Sequence, residues 1–336
     1  MRWFFVVLFL ALGILYFFPD NQPLSEQMQE TREDNSKYGE TETVEGIAGL
    51  IGKDVNDVKQ QLGNPTRIDQ SAYDYKWWIY SKTPETYLQV GVLNDKVVTV
   101  YTCGEQVDVK PLKINQSVEK IFKTMPIRSV VAFSINNNIF RFNLSEEDMT
   151  YRPLVKIGEI FAQVYIDRFT GKVSSVRFMD AETLVKIRPY ELAYRGKLIS
   201  ANPLSQGEQK KVEEANARQI LDITNVIRKR HNLGAVQWHE KTAKVAYMHS
   251  KDMKENNFFA HESPHNGNLN VRLFSKGIQF QLAAENIAAH YVDGIAAVEG
   301  WLNSLSHRET LLNDQYTHLG VGVFEKFYTQ NFLRVN

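Results

Sequence analysis

The apolar residues of this chain follow three different patterns along its length. Residues 3–18 form an unbroken apolar run with one glycine, residues 20–44 are polar and acidic, and the remainder alternates in helical and strand periods. The first run is just short of the ~17–25 residues that span a bilayer comfortably. It ends in Phe17 and Phe18, which are bulky and make a poor signal-peptidase site. We therefore predict an uncleaved membrane anchor over residues 1–19, with a cleaved signal peptide and secretion as the alternative.

Charged residues around this run predict which side of the membrane holds the rest of the chain. Arg2 precedes the run, whereas residues 20–45 contain eight acidic and only two basic residues. Because basic residues flank the cytoplasmic side of a membrane segment, the body of the protein is predicted to lie outside the cell. Residues 20–44 almost lack apolar side chains, which is typical of a flexible linker.

Residues 45–200 predict a mixed region of helices and strands with a weak internal repeat. One copy begins at Ile51 and the other at Ile114, and each predicts a short helix followed by a β-meander. Tight turns are predicted at Asn94-Asp95 and at Thr170-Gly171. The strand-like runs cover residues 75–80, 87–93, 96–102, 130–135, 139–144, 160–167 and 173–179.

After a Pro-, Gly- and Ser-containing boundary at residues 200–208, the pattern predicts mainly helices. Ile220, Ile223 and Ile227 recur at helical spacing, and Gly234 marks a stop soon after them. Further helices are predicted at residues 241–255 and 295–304, and strands at 319–324 and 328–335.

Four short motifs stand in a fixed order within residues 209–336. They are His249-Ser250-Lys251-Asp252-Met253, Phe259-Ala260-His261, Glu285-Asn286-Ile287-Ala288 and Trp301-Leu302-Asn303-Ser304-Leu305-Ser306-His307-Arg308. This segment resembles the bacterial CAP domain, of the superfamily of cysteine-rich secretory proteins, antigen 5 and plant pathogenesis-related proteins. Residues 45–200 are similar to the region that often precedes such domains. The resemblance implies an α+β chain: an N-terminal transmembrane helix, a tandem helix-plus-β-meander domain and a C-terminal α-β-α sandwich.

The resemblance also implies a cleft lined by two histidines and two glutamates. The first histidine corresponds to His261, the first glutamate to Glu285 and the second histidine to His307. The position of the second glutamate holds Ser304, or Asn303 if the alignment slips by one residue. We therefore expect a ligand-binding cleft formed by His261, Glu285, Ser304 and His307, which keeps three of the four family residues.

The chemistry of these residues leaves several roles open. Two imidazoles and a carboxylate suit a divalent metal such as Zn²⁺, with His261 and His307 as candidate ligands, or general acid–base catalysis. They are spread over the sequence without a compact catalytic motif, so no catalytic residue is assigned. The structural alternatives place Glu285-Asn286 at a helix start, His307-Arg308 at a helix end, and His249 in packing.

Composition adds little about partners. Lys plus Arg and Asp plus Glu number 39 each, so overall charge gives no reason to expect nucleic-acid binding. The chain has a single cysteine, Cys103, so no intrachain disulfide can form, and this thiol is expected to be buried. An exported protein without disulfides is typical of a Gram-positive-like bacterial surface. Of the neighbours Trp77 and Trp78, strand alternation predicts one in the core and the other exposed.

Three hypotheses about function follow. The first is a membrane-anchored protein whose cleft binds an envelope lipid, glycan or peptide. The second is a metal-dependent hydrolase with His261 and His307 as ligands and Glu285 as the base. The third is an interaction protein in which residues 45–200 bind a partner. The sequence predicts no oligomeric state.

Overall fold

A seven-stranded antiparallel sheet forms the centre of the N-terminal half in this computed structural model, which describes residues 44–335. The predicted anchor and most of the predicted linker lie outside the described residues. Among residues 44–335, no helix is both long and apolar enough to cross a bilayer. The elements up to the second half are α1 Val55–Leu62, β1 Arg67–Gln70, β2 Lys76–Tyr80, β3 Leu88–Leu93, β4 Lys96–Thr102, α2 Val118–Thr124, β5 Val130–Ile135, β6 Asn138–Asn143, α3 Glu146–Tyr151, β7 Leu154–Ile157, β8 Ile160–Asp167, β9 Lys172–Met179, α4 Ala181–Ile187 and β10 Glu191–Arg195, with short 3-10 helices at Gly46–Leu50 and Pro84–Thr86.

The two sequence copies have matching hydrogen bonds where each helix begins beside a hairpin. In the first copy Gly52 N–H donates to the Val97 carbonyl (2.8 Å), and in the second Asn115 N–H donates to the Val173 carbonyl (3.0 Å). Gly52 and Asn115 both have a positive φ, of 82° and 67°. These are residue types that tolerate the left-handed region, so both copies make the same turn before the helix.

The sheet order β1-β2-β3-β4-β9-β8-β7 joins the two copies edge to edge. Strands β4 and β9 occupy equivalent places in their copies and pair antiparallel, with Tyr101 opposite Arg177. The repeat is therefore arranged around a local two-fold axis near this residue pair.

One expectation for the second copy was wrong. Strands β5 and β6 leave the meander and form a separate three-stranded sheet of order β10-β6-β5. Aromatic packing gives the reason: Phe133 stacks near Phe140 and Phe142 and lies 4.6 Å from Phe161 of the main sheet, centroid to centroid. The small sheet thus buries an apolar face that cannot be buried within the meander. Helices α3 and α4 and strand β10 have no counterpart in the predicted elements.

The C-terminal half is built on a four-stranded sheet of order β11-β13-β14-β12. Its elements are α5 Gln206–Arg230, β11 Gln237–Trp238, α6 Glu240–Glu255, α7 Leu269–Phe274, β12 Leu282–Ala289, α8 Gly294–Leu302, α9 Leu305–Leu311, β13 His318–Phe324 and β14 Phe327–Arg334. Helix α5 starts with a capping box of Ser205 and Glu208. The predicted helix over 295–304 ends earlier, and its last residues belong to the turn before α9.

Helices cover both faces of this sheet. A Cβ atom placed on Gly322 would lie 1.8 Å from the backbone nitrogen of Tyr247, so α6 approaches one face too closely for any other residue. Val321 and Val323 point to the opposite face, where they share a core with residues of α5 and α8. The small residues Ala243 and Ala246 of α6 thus face the sheet glycines Gly320 and Gly322.

The two halves share one apolar core, and buried polar groups also join them. Arg177 of β9 pairs with Asp293 at 2.5 Å, and both are buried. Trp77 belongs to the shared core and Trp78 to the core on the other face of the large sheet. The prediction that one of these tryptophans would be exposed was therefore wrong, because the large sheet is covered on both faces. Cys103 is buried and has no disulfide partner among the described residues.

Candidate functional site

The candidate residues meet at β12, which is an edge strand of the four-stranded sheet. Glu285 points to the face covered by α6, and the next residue, Asn286, points to the opposite face, where it donates to the His307 carbonyl at 3.1 Å. Both residues lie inside a strand, so the alternative that placed Glu285-Asn286 at a helix start was wrong. We name His261, Glu285, Ser304 and His307 the β12 site.

Glu285 is almost fully buried and bonded through both carboxylate oxygens. Its Oε1 lies 3.0 Å from His261 Nδ1, and its Oε2 accepts from the Arg272 guanidinium at 2.5 Å. The His261 side chain is more than half exposed, whereas that of Glu285 is 3% exposed. A buried carboxylate therefore orients a solvent-accessible imidazole and leaves the Nε2 atom of that imidazole free to meet a ligand.

Arg272, on α7, also fixes the loop that carries His261. Its second terminal nitrogen donates to the carbonyls of His261 and Gly267, each at 2.8 Å. The same loop is held to α6 through Asp252, which accepts from Ser263 at 2.5 Å. The position of His261 is therefore set by contacts on both sides of its loop. Arg272 was not among the predicted site residues, because its partners lie in other segments of the sequence.

His249, for which a role in packing was proposed from the sequence, lies beside this hydrogen-bond network. Its Nε2 is 3.1 Å from the Ala260 carbonyl and 3.7 Å from Glu285 Oε1. Burial lowers its pKa below the ordinary histidine value. The neutral ring is thus a buried support for the loop and for Glu285, consistent with the packing interpretation.

His307 lies in the first turn of α9, and its Nδ1 is 2.8 Å from the Ser304 hydroxyl. Ser304 is the N-cap residue of that helix and fixes the orientation of His307, leaving Nε2 as the outward nitrogen. Burial, followed by the nearby charge of His261, lowers the pKa of His307. His307 therefore lies at the start of a helix and not at the end proposed in the alternative.

The N-terminal half holds the start of α9. Arg308 donates to Asp167 of β8 at 2.9 Å, and both side chains are largely buried. Asn303 accepts from the Arg168 backbone N–H at 2.8 Å and donates to the Ile166 carbonyl at 3.0 Å. Asn303 is thus committed to contacts between the halves, and Ser304 remains the residue that faces His307.

The donor set does not match a three-ligand zinc site. Within residues 44–335, no group of three histidine, cysteine, aspartate or glutamate side chains is arranged to hold a metal ion. His261 and His307 would supply two imidazole nitrogens, whereas catalytic zinc usually has three protein ligands. The Glu285 carboxylate is paired with Arg272, so a metal cation bound to Glu285 would lie next to the positive guanidinium group. The residues of the β12 site therefore do not fit a catalytic zinc ion.

The segments that carry the site also carry exposed apolar side chains. Between residues 206 and 335, six large apolar side chains are exposed, and five belong to the segments that carry the β12 site. We name these five, Phe259, Val271, Phe274, Leu282 and Leu305, the apolar rim. Phe274 is 63% and Leu305 60% exposed. Their concentration in a few segments of the chain differs from the scattered single exposures of an ordinary surface.

Comparison with known families finds two matches along the chain. A family described as "CAP-associated N-terminal" matches residues 51–190, and the "Cysteine-rich secretory protein family" matches residues 221–333. The chain is also 50% identical to a Bacillus subtilis protein named "Uncharacterized membrane protein YlbC", over 289 residues that cover 86% of this chain and 84% of that protein.

Two solved structures resemble almost the whole described fold. An extracellular protein containing an SCP domain from Bacillus anthracis has a TM-score of 0.83 and 42% identity, covering 95% of this chain and all of that one. A cysteine-rich secretory protein from Staphylococcus aureus has a TM-score of 0.76 and 29% identity, covering 86% of this chain and 93% of that one.

Proposed function

Because this chain belongs to the cysteine-rich secretory protein (CAP) family and carries a CAP-associated N-terminal domain, we propose that it binds a membrane lipid outside the cell. Residues 3–18 form a transmembrane helix in this proposal, with the tandem helix-plus-meander domain and the CAP α-β-α sandwich on the outer side. The acidic residues after the apolar run favour this orientation. One relative is named a membrane protein and another an extracellular protein, which agrees with either an anchored or a secreted chain.

One observation carries the proposal: the segments that hold a small polar site also carry five exposed large apolar side chains. Each large side chain of the rim gains about 1.5–3 kcal/mol if a ligand buries it fully. The polar groups left for a ligand are few, since Glu285 and Arg272 are already bonded to each other. Nε2 of His307 can donate to an acceptor oxygen, such as that of a phosphate or an ester, while the Ser304 hydroxyl donates to Nδ1 of the same ring. Nε2 of His261, whose Nδ1–H donates to Glu285, can accept from a hydroxyl group of a lipid headgroup.

This balance favours a lipid over the other two ligand classes. A glycan offers many hydroxyl groups, and each needs a polar partner when it leaves water. A peptide likewise requires partners for its amides. A lipid combines a small polar headgroup with an apolar chain, which matches a small polar site in segments that also carry the apolar rim.

Photo-cross-linking tests the proposal with the full-length chain in phospholipid vesicles. The probe is phosphatidylglycerol with a photoreactive group on one acyl chain, and cross-linked peptides are mapped by mass spectrometry. We expect adducts in residues 258–282 and 303–311, separate from those of the membrane segment. Phe274→Ser should reduce these adducts at least about fivefold, because it removes apolar contact area. The matched control is Phe122→Ser, an exposed phenylalanine of the N-terminal half.

Two results would overturn the lipid proposal. The first is cross-linking confined to the membrane segment. The second is an equal reduction in Phe274→Ser and Phe122→Ser, since that would mean that the rim has no special affinity for acyl chains. His261→Ala gives an independent measure of the polar contact, and the proposal requires that it weaken labelling by the phospholipid more than labelling by a photoreactive alkane.

A further inference from the structure

The outer edge of β13 is only partly covered. Strand β11 pairs with it in parallel at two positions, Gln237 opposite His318 and Trp238 opposite Leu319. The chain then turns into α6, while β13 continues to Phe324. No described strand pairs with this edge beyond Leu319. The remaining five residues of β13 extend for roughly 16 Å.

The main-chain groups of this edge point outward at alternate residues. Gln237 N–H donates to the Thr317 carbonyl and His239 N–H to the Leu319 carbonyl, each at 2.9 Å. Odd-numbered residues of β13 therefore direct their N–H and C=O groups toward β11. Because this direction alternates along a strand, Val321 and Val323 direct theirs to the same side.

These groups lie at the bottom of a groove between α5 and α6. The groove has a volume of about 620 Å³, and Val321, Gly322 and Val323 line its floor. Trp238 closes one end, with the Arg218 guanidinium 3.8 Å above its ring. The hydrogen bond from the Glu325 backbone N–H to Glu213 lies beside the last residue of β13 (2.8 Å). The groove therefore has the length of a short strand.

The walls of the groove carry balanced charge over apolar surface. Ala217 of α5 and Ala243, Tyr247 and Met248 of α6 supply apolar atoms. Three basic and three acidic side chains line the same groove: Lys210, Arg218, Lys244, Glu213, Glu214 and Glu240. Arg218 and Lys244 both lie within 4.0 Å of Glu240. Because the basic and acidic side chains of the groove are equal in number and partly pair with each other, the groove favours an uncharged ligand.

We propose that this groove is a second binding site, separate from the β12 site, and that it takes an uncharged peptide segment of another protein in an extended conformation. The segment continues the ladder where β11 stops and pairs with the main-chain groups of Val321 and Val323. Its side chains alternate between the wall of α5 and the wall of α6. Recognition rests on main-chain hydrogen bonds, with the walls selecting small or medium apolar side chains.

A lipid chain fits this groove less well than a peptide. Val321 and Val323 are 2% and 1% exposed, and hydrocarbon over them would leave their outward N–H and C=O groups without partners. Such a loss is unfavourable for every buried main-chain group. An extended peptide fills the same volume and supplies donors and acceptors in register.

Hydrogen exchange of the full-length chain in detergent tests the open edge first. With residue-level mass spectrometry, we expect the amides of Val321 and Val323, which lack a partner strand, to exchange faster than those of Gly320 and Gly322, which pair with β14. The probe for binding is a blocked hexapeptide of alternating threonine and valine. At saturation it should slow exchange at Val321 and Val323 by about tenfold or more, as new hydrogen bonds form.

Two controls separate main-chain pairing from apolar contact. The same hexapeptide methylated at every amide nitrogen keeps its side chains but loses its donors, and it should bind at least about fivefold more weakly, the factor for one net hydrogen bond. Val323→Pro removes one outward N–H and should weaken binding of the unmodified peptide by a similar factor. Val323→Ala keeps the N–H, so the bound peptide should still slow hydrogen exchange at Val321. Intact protection of Gly320 and Gly322 verifies that each variant is folded.

Three outcomes would overturn the proposal. One is slow exchange of Val321 and Val323 in the free protein, because the edge would then already be covered. Another is equal binding of the methylated and unmodified peptides. The third is occupation of the groove by detergent or fatty acid without protection of these amides. None of these outcomes depends on lipid binding at the β12 site.

Discussion

Glu299 gives the protein a pH-dependent stability that one substitution should remove. It lies on α8 and is buried against β9, where its Oε1 accepts from Ser175 at 2.5 Å and from Ser174 at 3.2 Å. Burial raises its pKa from 4.5 to about 7, although the two serine hydroxyls and the charge of Arg230 oppose this shift. The folded protein therefore binds this proton more tightly than the unfolded chain.

The size and sign of the effect follow from linkage. A pKa raised from 4.5 to about 7 corresponds to about 3 kcal/mol, at 1.36 kcal/mol per unit. The contribution of protonated Glu299 is fully present below pH 4.5. It is lost as the pH rises from 4.5 through 7, and it is absent above that range. Glu299→Gln keeps a neutral side chain of similar size at every pH, so it should remove this part of the pH dependence.

Urea unfolding at pH 4.5 and pH 8, followed by tryptophan fluorescence, measures the effect. The free energy of unfolding of Glu299→Gln relative to the parent should rise by about 3 kcal/mol between these pH values. Glu147→Gln is the control, because that carboxylate is mostly exposed and should leave the difference near zero. If the parent and Glu299→Gln keep the same difference at both pH values, burial does not shift this carboxyl and the argument fails.

Two further substitutions test the packing of the C-terminal half and its attachment to the N-terminal half. Gly322→Ala places a methyl group within 2 Å of the α6 backbone and should lower the free energy of unfolding by more than about 3 kcal/mol. The control is Gly207→Ala, whose methyl group meets no atom within 4 Å and should not destabilise the protein. Thermal denaturation of the two variants measures the difference. Asp167→Asn leaves Arg308 largely buried without its anionic partner, should cost about 3 kcal/mol, and should shift the ring resonances of His307 in NMR spectra.

Each of these outcomes can be contradicted directly. Equal melting temperatures for Gly322→Ala and Gly207→Ala would mean that α6 does not approach the sheet closely enough to exclude a methyl group. Unchanged His307 resonances in Asp167→Asn, with the expected loss of stability, would mean that the N-terminal half stabilises α9 without positioning its histidine.

Regular segments were predictable from the sequence because their periodicity is local. The strand over residues 96–102 has the predicted bounds, and the helix predicted at residues 241–255 differs by one residue at its start. The repeat was visible for a related reason, since each copy has the same turn before its helix. The order of the motifs also placed His261 and Glu285 in one family pattern, although 24 residues separate them along the chain.

Other features depend on partners that are distant in sequence. The segment containing Glu285 and Asn286 has no strong alternation, so pairing with β14 and not local preference makes it a strand. Arg272 and His249 reach Glu285 only after α6 and α7 have packed. The exposure of Trp78 likewise depends on whether a second layer covers the large sheet, which strand alternation cannot reveal.

Most elements, the tandem repeat and the family motif were predictable from the sequence, because each is a pattern of short segments that can be recognised without knowing which segments are in contact. Which groups remain free to bind depends on how distant segments pack. Packing engages both oxygens of Glu285, exposes five apolar side chains in the segments that carry the β12 site, and leaves part of the β13 edge without a partner strand. The physical reason is that availability depends on long-range contacts: a side chain or main-chain group is free only where no distant segment has paired with it.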